Sequence, residues 1–191
     1  MRSGERMITI VSGLPRSGTS MMMQVLEAGG LPVLTDNVRK PDADNPRGYY
    51  ELEKVKQIKK DVSWLDEADG KVFKMVSALL YDLPQDRFYK IIFMRRKIEE
   101  IAASQSVMLK NMGKEQDRGN DDMRKFFKAH LAKLMRWLDN QENMDVLYCG
   151  YDSMIENPRE QSVRIAEFLE REMNVEKMVQ VVDPALYRQR V

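Results

Sequence analysis

Short apolar runs alternate with longer stretches of helical periodicity along this chain. Residues 7–12, 72–76, 89–94 and 145–149 are brief, apolar and followed by turn-like sequence, the pattern of buried parallel strands. Between them, residues 21–28, a charged amphipathic segment at 52–68, and residues 99–112 carry helical patterns, and Gly29-Gly30 stops the first. Residues 113–122 are the most polar run and read as a loop. Asp121-Asp122 then cap a long helix through Asn140, whose apolar stripe includes Met123, Phe127, Leu131, Leu134 and Leu138. The β-α-β-α order predicts an open α/β fold of three layers around a central, mainly parallel sheet of about four to five strands. No repeat or linker divides the sequence, so residues 1–191 are expected to form one domain.

Composition narrows the function classes. The 191 residues include 31 basic and 30 acidic side chains, a formal charge of +1. That balance argues against nucleic acid or an anionic membrane as partner. Hydrophobic content of 43% suits a globular core. The lone cysteine, Cys149, cannot form an internal disulfide and suggests a reducing compartment. No secretory signal is apparent, and no run approaches the roughly 20 apolar residues that span a bilayer. These features predict a soluble cytoplasmic protein without membrane insertion; oligomeric state is not legible.

The first strand ends in Ser12-Gly13-Leu14-Pro15-Arg16-Ser17-Gly18-Thr19-Ser20, ahead of a helical segment. Strand, tight loop and helix in that order make a phosphate cradle, where loop amides and the positive helix end converge on one anion. The spacing Gly13-x4-Gly18 fits a P-loop, but Thr19 stands where a Walker A lysine belongs, and the cation is Arg16 within the loop. Pro15 to Ser20 resemble the phosphosulfate-binding loop of sulfotransferases that use 3'-phosphoadenosine 5'-phosphosulfate (PAPS). Two further segments resemble the same family. Arg96 and Ser104 match an Arg-x7-Ser element that grips the donor's 3'-phosphate, with Arg95 able to trade roles with Arg96. Residues 146–158, with Tyr151, and the helical 164–169 are similar to a strand, turn and helix in which a tyrosine contacts adenine. There Asp152 and Ser153 replace the family's glutamate and aspartate.

The resemblance implies a P-loop NTPase-like sandwich and an enzyme, a PAPS-dependent sulfotransferase. It would move a sulfuryl group from PAPS, leaving 3'-phosphoadenosine 5'-phosphate (PAP), to the hydroxyl or amine of a small-molecule or carbohydrate acceptor. Donor-binding residues carried over are Pro15, Arg16, Ser17, Gly18, Thr19, Ser20, Arg96, Ser104 and Tyr151. Transfer is expected without a metal, since arginine, lysine and amide donors can stabilise the lightly charged sulfuryl group. Arg95-Arg96 also occupies a strand end where a metal-holding carboxylate would be wrong. Lys74 matches a lysine that neutralises the transferring group in tyrosylprotein sulfotransferases, although Met75-Val76 replaces the Asp-Pro that follows it there. Arg16 and Lys74 would then share the developing charge. For the general base, Glu51 is the first choice, followed by Asp44 and then His130. Glu51 follows Tyr49 and Tyr50, and burial beside aromatic rings would raise its pKa.

The chain lacks the Gly-rich Arg-Lys-Gly loop with which many members clamp the 3'-phosphate, and Arg188 or Arg190 could supply the missing charge. Two rival readings remain at this point: a P-loop phosphotransferase using a nucleotide with Mg²⁺, and a non-catalytic protein that binds PAP or another nucleotide.

Overall fold

Alternation of side chains within the strands sets the architecture. The structure, a computed structural model, describes residues 7–36, 38–40, 42, 45, 48–111, 113 and 120–187. Strands β1 (Met7–Gly13), β2 (Val72–Val76), β3 (Phe88–Arg95) and β4 (Met144–Gly150) form one sheet in the order β2-β1-β3-β4. All three pairings are parallel. Ile10, Phe73, Ile91 and Phe93 face one side of the sheet, while Val11, Val72, Ile92 and Cys149 face the other. Apolar groups on both faces require cover on both, as parallel sheets generally do.

Six helices are described: α1 (Thr19–Ala28), α2 (Ile98–Asn111), α3 (Asn120–Leu138), α4 (Tyr151–Glu156), α5 (Pro158–Leu169) and α6 (Val175–Gln180). Met22, Met23, Val25 and Leu26 of α1 join Met154, Ile165 and Met178 of α4, α5 and α6 against one face. Leu134 and Leu138 of α3, with Leu52, Val55, Ile58, Trp64 and Leu80, cover the other. The result is the three-layer α/β sandwich expected, with four strands among the described residues.

Residues 52–68 depart from the helical reading. They form two 3-10 helices, Glu53–Gln57 and Ser63–Ala68, separated by a turn. In the first of them the buried residues Leu52, Val55 and Ile58 recur every three positions. That period matches the three residues per turn of a 3-10 helix better than 3.6. Asp61 breaks the run by accepting from the Ser63 amide at 2.9 Å. The first helix starts earlier than its apolar residues suggest, at Thr19, and ends as predicted. Gly30 adopts φ 96° and donates to Glu27 O at 3.0 Å, while Leu31 N reaches Leu26 O at 3.0 Å. This is a left-handed stop that favours glycine.

The chain leaves β1 for β2 on one side and then adds β3 on the other. In open α/β sheets such a reversal opens a crevice beyond the carboxyl ends of the strands. The candidate site lies there.

Candidate active site

The loop from Gly13 to Gly18 has a shape that other residues would not keep. Gly13 and Gly18 have φ of 151° and 98°, and Arg16, between them, is left-handed at 68°. A Cβ on Gly13 would lie 2.5 Å from Ser17 Oγ, and one on Gly18 would lie 2.4 Å from Tyr151 Cδ2. The Ser17 amide and hydroxyl both turn back on Leu14 O, at 3.2 and 2.7 Å. Ser17 therefore shapes the loop from beneath, and its side chain is buried. No side chain caps the N-terminus of α1 at Gly18. The first amides of a helix have no intrahelical acceptor, so this end is suited to an anion.

Beyond the loop lies a cavity of about 440 Å³. Pro15, Arg16, Gly18, Thr19, Ser20, Glu51, Lys74, Arg96, Ser104 and Tyr151 all line it. Contributions thus converge from the ends of β1, β2 and β3, from α2, and from the first residue of α4. Arg16 Nε donates to Ser104 Oγ at 2.9 Å, tying the phosphate loop to α2. Arg96 donates from its guanidinium to Arg16 O at 3.2 Å, tying β3 to the same loop. Arg96 also lies 4.6 Å from the Tyr151 ring centroid, within cation–π range. Arg95 instead sits exposed, 5.9 Å from the Tyr148 ring. The two arginines divide as the spacing to Ser104 suggests, with Arg96 at the cavity.

Lys74 projects from β2 toward α1. Its Nζ donates to Tyr49 O and approaches Ser20 Oγ at 3.4 Å. Burial pushes its pKa down to about 8, the attraction of Glu51 acting in the opposite sense. Tyr50, at φ 52°, is left-handed without being glycine. Such a turn costs roughly 1–2 kcal/mol, and it lies between the Tyr49 carbonyl that holds Lys74 and Glu51. Glu51 itself stands between two cations, Arg39 at 2.9 Å and Lys56 at 3.7 Å. Its neighbours are thus cations more than the aromatic wall that its sequence context suggests.

Tyr49 and Tyr50 part company. Tyr49 lines the cavity beneath the Arg39 guanidinium, 3.3 Å from the ring centroid, and donates its hydroxyl to Asp42 at 2.7 Å. Tyr50 donates to Glu27 at 2.6 Å. His130 bonds Ser77 at 2.9 Å and stacks on Phe126. It is not among the residues lining the cavity. Asp44, Arg188 and Arg190 fall outside the described residues.

Sequence reasoning missed three contributors. Arg39 lies in a loop whose motif gives no reason to single it out. Gln105 lines the cavity with its Oε1 buried and without a hydrogen-bond partner among the described residues. Glu100, 1% exposed, accepts from Arg96 Nε at 2.8 Å. The four-residue spacing of Arg96 and Glu100 on a helix start was the available signal for that pair.

Comparison with known proteins bears on the same elements. The sulfotransferase-domain family profile matches residues 8–189. No curated protein matches the chain significantly in sequence. Among solved structures, mouse sulfotransferase SULT7A1 complexed with PAP aligns at TM-score 0.60 and 18% identity, over 94% of this chain and 63% of that one. The sulfotransferase domain from the curacin biosynthetic pathway aligns at 0.54 and 14%, over 93% and 78%. Retinol dehydratase, in complex with androsterone and inactive cofactor PAP, aligns at 0.51 and 16%, over 91% and 62%. The chain therefore spans less than two thirds of the first and third of these proteins. At such identities the likeness is one of fold. The profile match is broader, running from β1 through Tyr187, and on it the chain belongs to the sulfotransferase family.

Proposed function

We propose that the protein transfers a sulfuryl group from PAPS to a hydroxyl or amine acceptor. One observation carries this reading: Arg16 and Arg96, 80 residues apart, are bonded to each other and border a single cavity at the mouth of the β1–α1 loop. A donor with a phosphosulfate at one end and a 3'-phosphate at the other needs cations at two separated points, and Lys74 of β2 and Arg96 after β3 reach this cavity from either side of β1. The residues present fit such a molecule. The glycines let Ser17 and Tyr151 close against the loop, where a Cβ would clash, and Gln105 Oε1 offers a buried acceptor that no described residue satisfies. Cations and backbone amides dominate near the loop.

PAPS supplies the activated sulfuryl group when bound. In this reading the loop amides, Thr19 and Ser20 hold the 5' end, and Arg96 with Ser104 holds the 3'-phosphate. Tyr151 packs against the base. Lys74 attracts the 5'-phosphate and, with Arg16, stabilises charge on the sulfuryl oxygens, fixed donors of this kind gaining strength in a water-poor site. Glu51 accepts the acceptor's proton. Met75, Val76, Leu79, Val107 and Met108 line the apolar part of the cavity and would surround the body of the acceptor. Positively charged donors, together with Arg95-Arg96 at the end of β3, support transfer without a metal.

Thermal unfolding in the presence of chelator tests the donor site, because a ligand that binds only the folded state raises Tm. PAP or PAPS should stabilise the wild type, and Arg16→Ala or Arg96→Ala should largely abolish the shift. Equal stabilisation of all three proteins would refute the site. Radiolabelled sulfate transfer across acceptor classes then tests turnover, which Glu51→Gln should remove while sparing PAP binding. ATP binding that requires Mg²⁺ would favour a phosphotransferase instead. PAP binding without transfer to any acceptor would favour a binding protein.

A further inference from the structure

The end of the described chain returns to the donor site. After α6, Asp183 caps a short 3-10 helix, Pro184–Leu186, by accepting from the Ala185 amide at 2.9 Å. Tyr187 follows and packs on the cluster formed by α1 and α4 to α6. Its hydroxyl donates to Glu100 Oε1 at 2.7 Å. The other oxygen of the same carboxylate accepts from Arg96 Nε at 2.8 Å. The Tyr187 ring also lies 5.2 Å from the Arg96 guanidinium and meets the Tyr151 ring edge-on, with centroids 5.1 Å apart. Tyr187 is not among the residues lining the cavity, whereas Arg96 is.

These contacts define a chain of constraint. An unrestrained arginine samples many rotamers, and the entropy lost in fixing it weakens any bond it makes to an anion. Glu100 fixes the Nε side of Arg96, and two tyrosine rings meet at its guanidinium. Glu100 is itself buried, so its carboxylate must be satisfied by the groups around it. Lys97 Nζ is 4.0 Å from Glu100 Oε1, leaving the Tyr187 hydroxyl as the closer donor to that oxygen among these contacts. The hydroxyl is a donor at neutral pH, and burial pushes its pKa further up, to about 12.

We propose that Tyr187 is a positioning residue for donor recognition, holding the Arg96 guanidinium through Glu100 and through its own ring in the orientation that receives the 3'-phosphate. The inference rests on the donor reading above. It gives the closing segment of the chain a role that uses no extra positive charge.

Calorimetric titration with PAP and with adenosine 5'-monophosphate, which lacks the 3'-phosphate, separates positioning from simple structural support. The wild type should prefer PAP, and Arg96→Ala should lose that preference. Tyr187→Phe removes only the hydroxyl and should weaken PAP binding about tenfold, the scale of one charge-linked hydrogen bond. Its affinity for adenosine 5'-monophosphate should stay at the wild-type value, which also shows that the variant is folded. Tyr187→Leu, lacking the ring as well, should lose more of the preference. Unchanged PAP binding by Tyr187→Phe, or an equal loss for both nucleotides, would overturn the proposal alone. A wild type without preference for PAP, or an Arg96→Ala variant that keeps it, would overturn the donor reading and this inference with it.

Discussion

Raising the pH through 8 should discharge Lys74 and weaken donor binding. The perturbed group is specific: burial lowers the Lys74 pKa to about 8, well under the ordinary lysine value of 10.5. A group with that pKa is about nine-tenths protonated at pH 7 and about one-tenth protonated at pH 9. If only the ammonium attracts the 5'-phosphate, apparent PAP affinity falls about tenfold across that interval. The ligand adds little titration of its own, since the second ionisation of a phosphate monoester lies near 6. Tyr49, pushed up to about 12, and Cys149, pushed up to about 11, both titrate above the interval. Bound phosphate also favours the charged lysine, so binding at pH 9 should take up close to one proton. Isothermal titration calorimetry at pH 7, 8 and 9, in buffers of different ionisation enthalpy, measures both quantities. Lys74→Arg keeps a positive charge throughout and should flatten the profile. A flat wild-type profile, or the same decline in Lys74→Arg, would refute the role assigned to Lys74.

Three further outcomes follow from packing. Gly18→Ala places a methyl group 2.4 Å from Tyr151 Cδ2 at a φ of 98°; it should cost about 1–3 kcal/mol in urea unfolding and impair PAP binding. Leu65→Ala, at a fully buried position on the opposite face of the sheet from α1, should destabilise by about 2–5 kcal/mol. Its PAP dissociation constant in the folded state should stay near the wild-type value. Cys149 is buried and burial raises its pKa to about 11. At neutral pH it should react with a thiol reagent only as fast as the protein opens, with reactivity rising through the urea transition.

Legibility in the sequence followed the range of the forces involved. The strands were readable because both-sided burial leaves continuous apolar runs, and each lies within two residues of its predicted ends. The β1–α1 loop was readable because its glycines answer to local backbone geometry. Residues 52–68 were not, since the choice between 3-10 and α-helix there follows Trp64 and Leu65 packing on Phe73 and its neighbours from β2. Strand order was not expressed by any local pattern. At the site, Arg16, Arg96 and Ser104 carried recognisable spacing, and hydrogen bonds join them in the fold. Arg39, Gln105 and Tyr187 carried none. Their places depend on how residues 38–40, α2 and residues 184–187 pack around the site. Glu51 illustrates the limit: its position at the cavity was legible, but its pairing with Arg39 and Lys56 required the fold.

One donor molecule must span the β1–α1 loop and Arg96, and a crystal structure with PAP measures that directly. It should show the 5'-phosphate against the amides of Gly18, Thr19 and Ser20, and the 3'-phosphate within hydrogen-bond distance of the Arg96 guanidinium and Ser104. PAP bound elsewhere, or bound in the loop with its 3'-phosphate pointing away from Arg96, would contradict it.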